Sequence, residues 1–301
     1  MSDGEPRPEG RLAALLLRGG RRRQLLAIVF GLGALLAAIL ALAWNRETVS
    51  TSLASLKQAS PLDAIALAAS CAGQLALSAF VFWWLYRLRV RVPAPDMAAL
   101  VAASNAANFL PLRPGLVGRV AYLRVRHGVT LPVSVRVTLE AAGLTAVVTL
   151  FLIIFLPLGD RAGLPVTAGG SVFAILAGIA AVFRPIRPHA IASLARLAEL
   201  GLLAFRYWIA FALIGERIDA EAAIAFACIA SAASMVPLVP NGMGLREWAI
   251  GLLAPFIAGH TLQEGIAAEL VNRAAELLVT VPVGGIAAAW LARRPRPLSP
   301  S

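Results

Sequence analysis

Charge is scarce in this sequence. Only 14% of its 301 residues are Asp, Glu, Lys or Arg, against about a quarter in an ordinary soluble domain. Lysine is nearly absent: Lys57 is the sole example, so the net charge of +11 is carried by Arg. Cysteine is limited to Cys71 and Cys228, both inside apolar runs and neither in a CxxC or metal-ligand spacing. That excludes a disulfide scaffold and leaves two buried free thiols. His127, His189 and His260 are scattered, and no metal is expected. Asp occurs only at positions 3, 63, 96, 160 and 219, in tails or loops. No GxSxG, HExxH, Walker A, DxD or dinucleotide fingerprint is present, so neither an enzyme nor a cofactor is expected. Basic and aromatic residues do not interleave, so no nucleic-acid partner is expected.

What the chain has instead is apolar length, with 59% hydrophobic residues. Backbone groups in hydrocarbon must pair within their own segment, which leaves helices or closed barrels. Barrel strands alternate in hydropathy; residues 24–44 and 74–86 do not. The expectation is an all-α, polytopic transmembrane helix bundle. Its full spans are residues 24–44, 62–86, 133–158, 171–183 (starting as early as 164), 191–214 and 264–291. A basic tail, 1–23, precedes the transmembrane domain, 24–291, and a second, 292–301, follows it. Arg18 and Arg21–Arg23 before the first run resemble a signal peptide. The run has the ~20 residues of a span and no small-x-small cleavage site, so it reads as uncleaved.

Two stretches are too short to cross and are broken by Pro and Gly. Residues 97–110 lead to Pro111-Leu-Arg-Pro-Gly115 and a second short helix, 116–126. Residues 222–236 lead to Pro237-Leu-Val-Pro-Asn-Gly-Met-Gly244 and another, 245–257. Proline inside a helix removes a hydrogen bond and clashes with the preceding turn. Each stretch reads as a re-entrant hairpin; a single span kinked at the prolines is the alternative. With both re-entrant, the chain makes six crossings. The basic clusters at 87–91, 184–187 and 293–296 then share the cytoplasmic side with both termini, as the positive-inside bias requires. Pro111 and Pro237 are 237 − 111 = 126 residues apart. By this topology the hairpins enter from opposite faces, an inverted-topology repeat of the kind that forms midplane sites in transporters.

A helix that begins at such a break presents free N–H groups and a positive dipole end. Gly115, Asn241, Gly242 and Gly244 let the chain turn there, and Arg113, Arg119 and Arg246 add fixed positive charge. Together they suit a phosphate, and a membrane lipid headgroup is the expected ligand. Glu140, Glu247, Glu269, Arg273 and Glu276 fall inside apolar segments, where an ionisable residue marks a functional site or a structural ion pair. Glu269, Arg273 and Glu276 share one helix face. Under the structural alternative these three form an ion-pair network, Arg119 and Arg126 snorkel to the interface, and Arg196–Glu199 lies at the interface.

The two breaks resemble motifs of the membrane (flippase) region of lysylphosphatidylglycerol synthases and the membrane proteins related to it. Pro111-x-Arg-x-Gly115-x-x-x-Arg119, with Leu123-Arg124 following, is similar to the family's first motif. Pro237-x-x-Pro-x-Gly-x-Gly244-x-Arg-Glu247 is similar to its second. Glu140 and Asn272-Arg273 match positions in the spans that follow. The chain departs at Leu116, where the family has Glu, at Gly143 and Leu144, near a usual Asp, at Asn241 for Gly, and at Asn272 for an aromatic. The resemblance covers most of the chain and implies lipid translocation or lipid handling in a bacterial inner membrane. A homo-oligomer or a lipid-biosynthesis partner fits the same picture. An accessory protein that presents a lipid or terpenoid to a biosynthetic enzyme is the alternative function. Because no polar domain follows Leu291 in this sequence, aminoacyl transfer is not implied.

Overall fold

The computed structural model describes residues 60–110, 114–161, 163, 167–236 and 240–294, with isolated positions at 33, 35–37, 40 and 54. Most of the expected first span, Arg113 and the two tails except 292–294 lie outside the described residues. Among the described residues the fold is all-helical.

Helix α1 (Pro61–Arg87) starts on Ser60, whose hydroxyl accepts from the Leu62 N–H at 3.2 Å. Pro61 at the first helical position and Asp63 in the first turn reinforce that start. Then follow α2 (Ala94–Ala107), α3 (Pro114–His127) and α4 (Leu131–Arg161), with α5 (Thr167–Ala180) and α6 (Arg187–Leu213) after them. Asp219 caps α7 (Ala220–Met235) by accepting from the Ala222 N–H at 2.7 Å. A 3-10 turn, Pro240–Gly242, leads into α8 (Leu245–Ile257), and a Thr261/Glu264 capping box opens α9 (Leu262–Arg293).

Among the described residues, three segments are long and apolar enough to cross a membrane: α1, Leu131–Leu158 of α4, and α9. Helix α6 matches α1 in length, but Arg196, Glu199 and Arg206 are spread along it. Helix α5 has 14 residues, about 21 Å, close to the expected 171–183 in length and shifted four residues toward the N-terminus at its start. The exterior is apolar: Leu150 and Ile154 of α4, Ile175 and Ile179 of α5, and Leu278 and Ile286 of α9 are all exposed. An apolar surface of this extent marks a face for lipid or for another protein.

The helix order of the first half recurs in the second. Lengths of 27, 14, 14 and 31 residues for α1–α4 are matched by 27, 16, 13 and 32 for α6–α9. Helix starts repeat at the spacing of the two breaks: 187 − 61 = 126 and 220 − 94 = 126. Packing follows the same exchange, since α2 lies on α9 as α7 lies on α4, and α1 contacts α9 as α6 contacts α4. The central pair, α1 and α6, is antiparallel. Trp84 Nε1 donates to the Pro188 carbonyl at 3.0 Å near one end, and Leu67 packs with Ile209 and Leu213 toward the other.

Both ends of α2–α3 meet at one end of the bundle, where Asp96 of α2 lies 3.6 Å from His127 of α3. Arg294, just past α9, joins them, 2.9 Å from Asp96. Both ends of α7–α8 meet at the opposite end, where His260 Nε2 lies 3.1 Å from the Arg217 carbonyl. In each pair the first helix begins and the second ends at the same end of the bundle.

Candidate functional site

The turned-back ends of both pairs face one cavity of about 290 Å³. Asn108 and Phe109 reach it from beside the first break, Met235 and Asn241 from beside the second. Close packing brings the first pair in. A Cβ on Gly115 would lie 1.9 Å from the Ser104 carbonyl oxygen, so only glycine lets α3 start against α2. At the second break Asn241 adopts φ 45°, Gly242 φ 70° and Gly244 φ 79°. This left-handed run turns the chain from the 3-10 helix into α8. It also aims the Asn241 carbonyl at Arg273, whose Nη2 donates to it at 3.0 Å.

Behind the cavity wall lies an ion network. Arg246 Nε sits 2.9 Å from Glu269 Oε1, and Tyr207 donates its hydroxyl to Glu269 Oε2 at 2.5 Å. Asn272 donates to the same oxygen at 3.0 Å. Arg206, 1% exposed, donates from Nε to Asn272 at 2.8 Å and from Nη1 to Gln74 of α1 at 2.5 Å. Arg273 Nε lies 3.5 Å from Glu247 Oε1, and both Glu247 oxygens lack a hydrogen bond among the described residues. Arg206, Arg246 and Arg273 thus face Glu247, Glu269 and Glu276, three charges against three. A network this buried holds only while the charges pair, since a lone buried ion is strongly penalised.

The fold gathers some of the expected residues and separates others. Asn241, Gly242, Gly244, Arg246, Glu247 and Arg273 come together at the second break. Gly115 supports the first break from behind. Arg119 is buried, its guanidinium 3.8 Å from the Phe82 ring centre, in a cation–π contact set back from the cavity. It does not snorkel. Glu140 stands apart, at the end where Arg294 lies. Arg89 Nη2 is 2.6 Å from it, Arg136 Nε 3.0 Å and His189 Nε2 3.8 Å. Arg113 lies outside the described residues. Arg196 and Glu199 are not at an interface: they pair with each other and line the cavity.

Arg206, Gln74 and Tyr207 are functional candidates that the sequence reading passed over. The signal for Arg206 was present, a lone cation in the otherwise apolar stretch 200–214. Its partners lie 132 and 66 residues away, so no spacing rule points to them. Away from the cavity, Glu216, His260 and Glu264 gather ligand-type atoms within 4.8 Å. Their groups already have partners, since Glu264 caps α9 and His260 sits on the Arg217 carbonyl. Comparison with protein-family models, curated proteins and solved structures finds no match.

Proposed function

We propose that the protein is an integral membrane, flippase-like transporter that handles a phosphate-bearing, anionic lipid, with the headgroup received in the central cavity. The observation that carries this reading is the convergence of two chain breaks, 126 residues apart, on one polar cavity from opposite ends of an apolar-surfaced bundle. Broken helices that meet at mid-depth from opposite faces are the arrangement secondary transporters use for substrate. The antiparallel α1/α6 pair supports an inverted rather than a parallel repeat. Arg at 87–91, 124–126, 184–187 and 293–294 falls at one end of the bundle, against Arg161 and Arg217 at the other. This supports six crossings plus two re-entrant hairpins, with the basic end and both termini cytoplasmic in a bacterial inner membrane. The motif resemblance to the lysylphosphatidylglycerol synthase membrane region points the same way.

One observation favours a second reading. Each cavity Arg already has a carboxylate partner, as in a protein that holds a lipid for an enzyme without moving it. Reconstitution separates the two. Vesicles with the protein, loaded with fluorescent phosphatidylglycerol, are treated with a membrane-impermeant quencher. A transporter exposes the inner-leaflet probe faster than empty vesicles do. No acceleration for any anionic lipid, with a biosynthetic enzyme co-purifying, would favour the accessory reading.

A further inference from the structure

One oxygen on the cavity wall has three cations around it. Glu276 Oε2 lies 3.6 Å from Arg206 Nη2, 3.3 Å from Arg246 Nη1 and 3.6 Å from Arg273 Nη1. These guanidiniums come from α6, α8 and α9, so the tertiary fold builds the convergence, not the period of one helix. Guanidiniums gathered on one oxygen are also how proteins hold phosphate. Glu276 is the most exposed acid of the network, with its side chain 20% exposed against 0% for Glu247 and Glu269. Its cations have other partners: Arg246 has Glu269, Arg273 has the Asn241 carbonyl, and Arg206 has Asn272 and Gln74. Glu276 can leave without dismantling them.

We propose that Glu276 is a built-in stand-in for the ligand's phosphate, and that each phosphodiester of net negative charge entering the cavity displaces it and brings one proton onto its carboxylate. The inference rests on the lipid reading above and adds how that same site is regulated. Among the described residues the network balances at three charges against three, and a phosphodiester adds one negative charge that a low-dielectric cavity does not tolerate unpaired. Protonating Glu276 restores the balance. The other groups that face it are Cys71 and Gln74 from α1, Arg206 from α6, Arg246 from α8 and Arg273 from α9 itself. Tyr207 and Glu269 reach it through Arg246, and Arg196 and Glu199 pair with each other on the same cavity. The polar lining from α2, α4 and α7 is amide and hydroxyl only. Arginine keeps its charge, Glu269 is held by Tyr207, Asn272 and Arg246, and Glu247 is fully enclosed beside Arg273 and does not line the cavity, which leaves Glu276 to take the proton.

The test is titration calorimetry on the full chain in non-ionic detergent, in buffers of differing ionisation heat, between about pH 6 and 8. The probes are dihexanoylphosphatidylglycerol, dihexanoylphosphatidylcholine and dimethyl phosphate. Phosphatidylglycerol should bind with uptake of about one proton, tightening about tenfold for each unit the pH falls. Phosphatidylcholine, whose choline cancels the added charge, should bind without proton uptake. E276Q should bind phosphatidylglycerol with a flat pH profile. Should that variant not fold, the wild-type proton count decides alone. Phosphatidylglycerol binding without proton uptake, or uptake that survives in E276Q, overturns the stand-in and leaves the lipid reading standing. Dimethyl phosphate binding as tightly, with the same uptake, keeps the stand-in and overturns the lipid. No binding of any probe overturns both.

Discussion

Gly284 and Gly285 are adjacent in α9, and their surroundings differ enough to make a controlled pair. A Cβ on Gly284 would lie 2.3 Å from Ala106 Cβ and 2.8 Å from the Ala102 carbonyl oxygen, both on α2. A Cβ on Gly285 would meet nothing within 4 Å. Carbon contacts settle near 3.5–4.0 Å, so Gly284→Ala forces α2 and α9 apart by roughly 1 Å or more. Overpacking costs about 1–3 kcal/mol, and the upper end applies because a backbone oxygen is in the way. Alanine recovers about 1 kcal/mol over glycine inside a helix. The net expectation is about 2 kcal/mol of destabilisation for Gly284→Ala and about 1 kcal/mol of gain for Gly285→Ala. Unfolding in mixed micelles with rising dodecyl sulfate, followed by fluorescence of the six Trp residues, reads both. Equal midpoints for the two variants would refute the packing of α2 on α9. Because α2 carries Asn105 and leads into Asn108, both on the cavity wall, Gly284→Ala should also slow lipid exchange where Gly285→Ala does not.

Glu269→Gln removes the charge that meets Arg246 and should cost about 3–5 kcal/mol. Tyr207→Phe, which deletes one hydrogen bond to the same carboxylate, should cost about 1–2 kcal/mol; the double variant should lose less than the sum in the same unfolding assay. Gly244→Ala, at φ 79°, should cost about 1–2 kcal/mol of backbone strain; stability equal to wild type would argue against the left-handed turn. Arg124→Cys and Arg217→Cys, both exposed, should react with an impermeant maleimide from opposite sides of sealed vesicles. Cys71 and Cys228 are buried and should stay unlabelled in that experiment, and labelling of both new thiols from one side would overturn the opposed ends.

The helix plan was largely written in the sequence. Apolar runs located α1, α4 and α9 to within a few residues at each end, because length and hydropathy set them without help from neighbours. The spacing of Pro111 and Pro237 was visible as well, and it reappears in helix starts that the prolines do not determine. The second break gathered its own residues, Asn241 to Glu247, since these are local in sequence. Depth and direction were less legible. Glu140 is nine residues into α4, about 14 Å, a depth that the long side chain of Arg89 reaches from the loop after α1. Arg119 read as a phosphate ligand or, failing that, a snorkelling residue, but Phe82 of α1 supplies a ring for it away from the cavity. Arg206 gave its signal as a solitary cation, but its partners belong to α1 and α9, and only the folded bundle brings those helices to it.

The two broken pairs are fastened at opposite ends, α2–α3 by Asp96, His127 and Arg294, α7–α8 by His260 and Arg217. Both fastenings lie at an end of α9, Arg294 just past it and His260 just before it, so this one helix ties the two pairs together.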